Sequence, residues 1–503
     1  MNAVAGAGRG ALAAYGALGL PLAFAALPIY VHVPRLYAEG LGLSLALVGA
    51  VLLAARIVDA VTDPLIGWAN DRLPRRRLWI ALSLPALGAG MFGLLVPPAG
   101  AGAVWLFALL VAVSLAYSVA SIAYNAWGAE VASTPAARTR FVASREAFAL
   151  AGVVLAAVLP GLLGDGGGVA ETVVGGVGEA PTGGDAGVAG TAGNSDGGAA
   201  GLARLAWIFL PLLAAFGLWT LLRAPAPPRL AALRAPMWLG LRAALADRGF
   251  SRLLAVFAAN GIAAAIPSAT VLFYVADVLD AEAFAGAFLA LYFVAAAAGL
   301  PLWTRLSQRI GKLRAWLVGM ALAVVVFAWA GLLGSGDLVA YAFICVLSGV
   351  ALGADLTLPP SLLADLLARG REPACPLHDG VAAPAGGGCD AGRRSAGPDL
   401  RVLEAGACFG WWSFVTKANL ALAAGLALPL LALLGYTPGA HEAAAVGALA
   451  AVYGFVPVAL KLVAIALLWR WRQVLDTGTE DLRSTVPSRV APTRADMHRS
   501  GGG

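Results

Sequence analysis

Charge is scarce in this chain. Asp, Glu, Lys and Arg make up 12% of its 503 residues and 60% are hydrophobic, whereas a soluble domain is about a quarter charged. That leaves too little polar surface for a water-soluble fold of this length and points to a polytopic membrane protein. Cysteine is scarce too, at four residues. Cys345 and Cys408 fall in or beside apolar runs and read as small core residues. Cys375, His378 and Cys389 share one loop, but the spacing fits no zinc pattern and a fourth ligand is missing, so no resident metal is expected. The helices also lack a nucleophile–base set, a nucleotide-binding glycine loop and a metal-ligand cluster, which argues against an enzyme and against any cofactor.

What the chain does have is long apolar runs. Twelve stretches of membrane-crossing length are centred at 11–33, 42–68, 78–98, 104–125, 143–163, 205–223, 251–276, 284–303, 315–334, 338–366, 408–434 and 446–470. The first has no cleavage pattern behind it and reads as a retained helix. The implied fold is an all-α membrane protein with two six-helix bundles, residues 1–223 and 251–470. A linker over 224–250 holds a short amphipathic helix. Residues 164–203 are Gly-rich and expected to form a mobile external loop, 369–403 a mobile cytoplasmic insert, and 471–503 a disordered cytoplasmic tail. The net charge of +6 sits in alternate loops, among them Arg72, Arg75, Arg76 and Arg77, then Arg138 and Arg140, then Arg305, Arg309, Lys312 and Arg314. That bias places the basic loops and both termini in the cytoplasm of a plasma (inner) membrane, and it makes the charge a record of topology rather than of nucleic-acid binding.

The halves resemble each other. Laid on "PLWTRLSQRIGKLRAW" (301–316), "PLIGWANDRLPRRRLW" (64–79) pairs Pro64 with Pro301, Arg72 with Arg309, Arg75 with Lys312 and Trp79 with Trp316. Parallel six-helix repeats are a signature of major-facilitator-type transporters. In this frame Asp59 faces Ala296 and Asp63 faces Leu300, so the fold they share does not require the two acids.

Those acids raise the functional question. Arg56, Asp59 and Asp63 share one helical face, and each charge at mid-membrane costs about 2.5–3.5 kcal/mol. Arg56 can neutralise one carboxylate, which leaves the site one positive charge short; a Na⁺ or a proton supplies it. Asp71, beside Arg72 in the loop, reads as structural.

"RIVDAVTDPLIGWANDRLPRRRLW", "YNAWGAE" with "RTRFVASREAF", and "GACFGWWSFVTKANLALAAGLALPLLALLGY" resemble the glycoside–pentoside–hexuronide:cation symporters, the melibiose-permease-like branch of the major facilitator superfamily, which also includes sodium-dependent lysophospholipid symporters. The resemblance covers all but the two inserts and the tail. It implies that Asp59 and Asp63 bind the coupling cation, that Arg145 borders the substrate cavity and that Lys417 links the two regions. About ten residues into its helix, Lys417 lies ~15 Å deep, beyond snorkelling reach, and a carboxylate of the other half is its simplest partner. Pro21 and Ser121 stand where melibiose-type carriers have acids, so neutral oxygens of Thr62, Ser121 or Asn125 would complete the cation site. Asp355 is an added intramembrane acid, either a proton or substrate group or a structural partner for a base. Pro359 and Pro360 are expected to break its helix. Tyr124, Asn125 and Trp127 are candidates for the solute, Trp411 and Trp412 for the solute or for interfacial anchoring, and Asn260 and His32 read as isolated. The expected activity is Na⁺- or H⁺-coupled symport of a small solute, a sugar or glycoside first, by a functional monomer whose partners are the solute and the bilayer. A proton-driven exporter and a lysolipid symporter are the alternatives.

Overall fold

The computed structural model describes residues 8–98, 100–163, 195–228, 236–369, 403–437, 439 and 442–476. Cys375, His378 and Cys389 therefore lie outside the described residues, as do most of the two inserts and of the tail. Helices account for nearly all of the rest. The N-terminal half comprises α1 (Arg9–Gly16), α2 (Gly19–Arg35), α3 (Leu45–Arg72), α4 (Arg76–Leu95), α5 (Ala103–Val131), α6 (Pro135–Leu163) and α7 (Ser195–Arg223). The short α8 (Met237–Ala246) follows. The C-terminal half comprises α9 (Arg248–Phe273), α10 (Ala285–Ile310), α11 (Lys312–Ala330), α12 (Leu338–Arg369), α13 (Ala405–Leu433), α14 (Ala443–Arg470) and the stub α15 (Arg472–Asp476). Taking α1 and α2 as one interrupted span, each half has six long helices.

Among the described residues, ten helices are long and apolar enough to cross a membrane. Two further long helices, α3 and α6, bring the number to twelve and carry Arg56, Asp59 and Asp63, and Arg138, Arg140 and Arg145.

Local chemistry sets several boundaries. The first span breaks at Ala17–Leu18 because the ring of Pro21 cannot sit against the carbonyl of Ala17; the hydroxyl of Thr220 accepts from the freed Leu18 N–H at 3.1 Å. Asp247 caps α9 by accepting from Phe250 N at 2.7 Å. On α8, Met237, Trp238 and Leu239 are exposed while Gly240 and Leu241 are buried, the division expected of a helix lying in the membrane interface.

Three expectations change. The Gly-rich segment turns helical at Ser195 rather than after residue 203, and the tail opens with the helical turn Arg472–Asp476. The third concerns α12, which runs unbroken through Pro359 and Pro360. Its residues from Thr357 to Ala364 are all buried, and packing on every side holds a helix that two missing N–H groups would otherwise open.

The packing repeats between halves. In the first half α3 packs on α5, α4 on α5 and α7, and the first span on α6; in the second, α10 packs on α12, α11 on α12 and α14, and α9 on α13. Each half has its own apolar core, one around Leu87, Phe24 and Phe209, the other around Tyr274, Tyr341 and Leu449. Two equivalent seams join them, α3 against α13 and α6 against α10. Leu300, the repeat partner of Asp63, packs with Leu150 and Ala296 in an apolar cluster, so the second copy of the fold fills this position with hydrocarbon.

Candidate functional site

On α3, Asp59 and Asp63 lie one turn apart on one face. Facing them from α13 is Lys417, whose Nζ is 2.7 Å from Asp59 Oδ1 and 2.7 Å from Asp63 Oδ2 and donates to Asp63 Oδ1 at 2.9 Å. The pairing crosses between halves. Ser118 of α5 completes the cluster: its hydroxyl donates to Asp59 Oδ1 at 3.0 Å and accepts from Lys417 at 2.8 Å. Asp63 is fully buried, and Lys417 keeps 20% of its side chain exposed. Two carboxylates against one ammonium leave one unit of negative charge. Asp63 Oδ2 is buried, and the Lys417 ammonium at 2.7 Å is its charged partner. Pro64 contributes too, because it has no N–H for the carbonyl of Ala60.

The other candidates divide. The Thr62 hydroxyl donates back to the Asp59 carbonyl of its own helix at 3.0 Å. Ser121 accepts from Asn125 at 3.5 Å rather than facing the acids; the hydroxyl that reaches them is Ser118, offset by about 60° around the helix. Arg56 is half-buried on α3, but the cation set between the acids is Lys417. Tyr124 is fully buried: its hydroxyl donates to the Tyr15 carbonyl and the Tyr15 hydroxyl to the Tyr124 carbonyl at 2.9 Å. Trp127 donates to Pro225 O at 3.0 Å and lies under the Arg77 guanidinium. Both aromatics hold α5 to its neighbours and offer a solute no face. Trp411 donates to Leu241 O of α8 at 3.2 Å, and Trp412 stacks on Phe257 at 3.8 Å. Asn125 and Arg145 do meet, in a cavity of about 10 Å³, room for one water. Asn125 Oδ1 is buried there without a partner among the described residues, and Arg145 pairs with Glu146.

Asp355 has a structural partner. Its Oδ2 is 3.0 Å from Lys461 Nζ and its Oδ1 accepts from Trp316 at 2.9 Å. Asn260, which looked isolated, accepts from Lys461 at 2.8 Å. All but three of the 34 basic side chains are arginine, and all three lysines are held against intramembrane-helix aspartates, the third being Lys312 at 2.6 Å from Asp365. Arginine carries fixed charge, whereas a lysine ammonium can lose its proton or change partner. That skew was visible in the composition and marks Lys461, which pattern reading passed over.

At the basic end the halves are latched. Asp71 accepts from the backbone N–H groups of Gly406 and Ala407, at 2.7 Å each, and from Arg76 at 2.7 Å. Its charge thus meets the positive end of α13. Arg76, rather than the adjacent Arg72, is its side-chain partner, and Arg76 also pairs with Glu130 at 2.8 Å. The helices touch through glycine: a Cβ on Gly67 would come within 2.2 Å of Gly406 O, and one on Gly410 within 2.7 Å of Asp63 O. Glu404, just before α13, is pushed up to about 7 by burial and then by Asp71. On the opposite seam Arg138 of α6 pairs with Asp365 of α12 at 2.9 Å, and Thr139 meets Ser361 at 3.3 Å.

The comparisons with known proteins bear on the family and the fold. The sequence model of the family described as MFS/sugar transport protein matches residues 12–372 and 403–472. Among curated protein sequences none matches. Among solved structures, a bacterial homologue of the iron transporter ferroportin, in an outward-facing state, aligns at TM-score 0.60 and 17% identity over 92% of this chain and 99% of its own. The E. coli fucose:proton symporter FucP aligns at 0.59 and 12% identity, over 90% and 97%. The human organic anion transporter MFSD10 aligns at 0.56 and 17%, over 91% and 98%. At these identities the likeness is one of fold. The chain belongs to the MFS/sugar transport protein family of the major facilitator superfamily, and is a multi-pass membrane transporter rather than an enzyme.

Proposed function

We propose that this transporter is a symporter that couples entry of a monovalent cation, Na⁺ or H⁺, to uptake of a small polar solute, a sugar or glycoside first. The observation that carries the reading is the Lys417 ammonium, 2.7 Å from a carboxylate oxygen of both Asp59 and Asp63. The acids come from one half and the lysine from the other. Lys417 holds the place of the coupling ion: a cation arriving at the excess negative charge competes with the ammonium and releases it toward the region of Asn125 and Arg145. Both states leave the buried site with one unit of negative charge, whereas an empty acid pair without either cation carries two and repels itself in a low-dielectric setting. Cation occupancy and the relative position of the halves are therefore one equilibrium, the requirement for coupling in alternating access.

In this conformation the basic end is shut by Asp71 and the glycine contacts, with the acids and Lys417 above the latch. With the basic face on the cytoplasmic side, the conformation is closed to the cytoplasm. Asp355, an acid that would allow a proton-driven exporter, is paired with Lys461 at 3.0 Å, which supports the symport reading over export.

The test is uptake of candidate sugars and glycosides into proteoliposomes under an imposed Na⁺ or pH gradient. Uptake should follow one gradient and lose that dependence in Asp63→Asn. Uptake indifferent to both gradients, or unchanged in Asp63→Ala, refutes symport. With three lysines in the chain, amine acylation read by mass spectrometry adds an independent measure: the coupling ion should change the labelling rate of Lys417 and leave Lys461 alone.

A further inference from the structure

We infer that the seam between α6 and α10 is a binding site for an anionic phospholipid of the leaflet on the basic side, whatever solute is carried. The two seams between the halves are equivalent in the repeat but differ in packing. The α3–α13 seam is closed by glycine contacts. The α6–α10 seam holds a crevice of about 390 Å³, within the ~300–1,000 Å³ range of ligand sites. Leu12, Ala143, Ala147, Ala297 and Leu300 form much of its wall. The hydroxyls that border it are already used: Ser144 donates to Leu12 O at 2.7 Å and Thr304 to Leu300 O at 2.8 Å. Apart from Gln308 near the end of its helix, the wall between the arginines and Ala147 presents hydrocarbon.

At the mouth stand Arg140 of α6 and Arg305 of α10, one from each half, both exposed. Neither makes an ion pair or hydrogen bond with another described residue, whereas the neighbouring Arg138 is satisfied by Asp365. Arg140 is five residues from the start of its helix and Arg305 five from the end of its own, so both lie ~7.5 Å from the basic end. Ala147 and Ala297 lie ~18–20 Å from it by the same rise, well into a hydrocarbon core ~30 Å thick. Ala147 and Pro301 are exposed, so the crevice opens sideways toward lipid. Two guanidinium groups without a partner among the described residues, at headgroup depth above an apolar slot, match a phosphodiester with its acyl chain; basic pockets between membrane helices on this side bind such headgroups. A free phosphate would leave the slot unused. Because α6 and α10 belong to different halves, a lipid seated here ties them together and favours the conformation described.

The experiment compares purified full-length protein with added phosphatidylglycerol, phosphatidylcholine or soluble glycerol phosphate. Retained lipid is read by native mass spectrometry and stability by thermal unfolding. Phosphatidylglycerol should be retained and raise the unfolding midpoint, with the other two inert. Arg140→Gln with Arg305→Gln should cut phosphatidylglycerol retention at least tenfold, Ala147→Leu should reduce it by filling the slot, and Arg309→Gln on the same helix should not. Full retention in the double variant, equal action of glycerol phosphate, an equal loss in Arg309→Gln, or indifference to Ala147→Leu overturns the assignment.

Discussion

Replacing Lys417 by Met tests whether the lysine stands in for the transported ion. Methionine keeps an unbranched side chain and removes the ammonium that lies 2.7 Å from both acids. In the native protein a cation seated on Asp59 and Asp63 must approach that ammonium to about 4 Å or displace it, and two like charges at that distance repel by about 4 kcal/mol at an effective dielectric of 20. The variant removes this opposition. Even a third of it, about 1.4 kcal/mol, is tenfold in affinity, so Lys417→Met should bind its coupling ion at least ten times more tightly. Gradient-driven uptake should nevertheless collapse, because the ion no longer breaks a link between halves. The assay is equilibrium binding of radioactive Na⁺ and proton uptake on purified protein, beside proteoliposome transport. Adding Asp63→Asn restores one net negative charge and should return affinity toward the native level. Unchanged or weaker ion binding in a folded Lys417→Met protein refutes the idea that lysine and ion share one place.

Other outcomes follow from the same contacts. Lys461→Met leaves Asp355 and Asn260 without their shared donor; breaking such a buried pair costs about 3–5 kcal/mol, while Asp355→Leu with Lys461→Met should recover most of the loss, as read by thermal unfolding in detergent. Gly406→Val sets a side chain against Gly67 O and Asp71, so the basic end should fail to close and a cysteine placed at Ser361, buried in the native protein, should become reactive to thiol reagents. Glu404 has its folded value raised from the ordinary 4.5 to about 7. The closed basic end therefore prefers the protonated acid: its stability is intact below pH 4.5, falls as pH rises through the interval to about 7, and then levels off. Glu404→Gln should flatten that pH dependence of the unfolding midpoint.

Much of the architecture could be read from the chain because a bilayer imposes one simple rule, that about 20 apolar residues make a crossing. Eleven of the twelve expected crossings coincide with single long helices and the first with the interrupted pair α1 and α2, and even the linker helix appears at Met237–Ala246. The candidate site was legible in part for the same reason: a charge at lipid depth is costly enough to be noticed one residue at a time, which drew attention to Asp59 and Asp63, while Lys417 entered through the family resemblance and its depth. Ser118, Lys461 and the latch on Asp71 escaped. A serine is cheap in a membrane helix, a lone lysine in the last span gives no hint of its partner, and an aspartate at a helix end looks alike whether it caps its own loop or another half of the molecule.

Sequence by itself determined the class, the span count, the repeat of six and the presence of unpaired charge within the membrane, since each depends on local composition and period. Tertiary structure decided which charges meet. Asp59 and Asp63 are joined to Lys417 across 354 and more positions, Tyr124 and Trp127 are turned from solute candidates into struts, and Asp355 is matched to Lys461. Helix rotation and tilt set those encounters, and both are fixed by packing between segments far apart in the chain, which the periodicity of any one segment does not record.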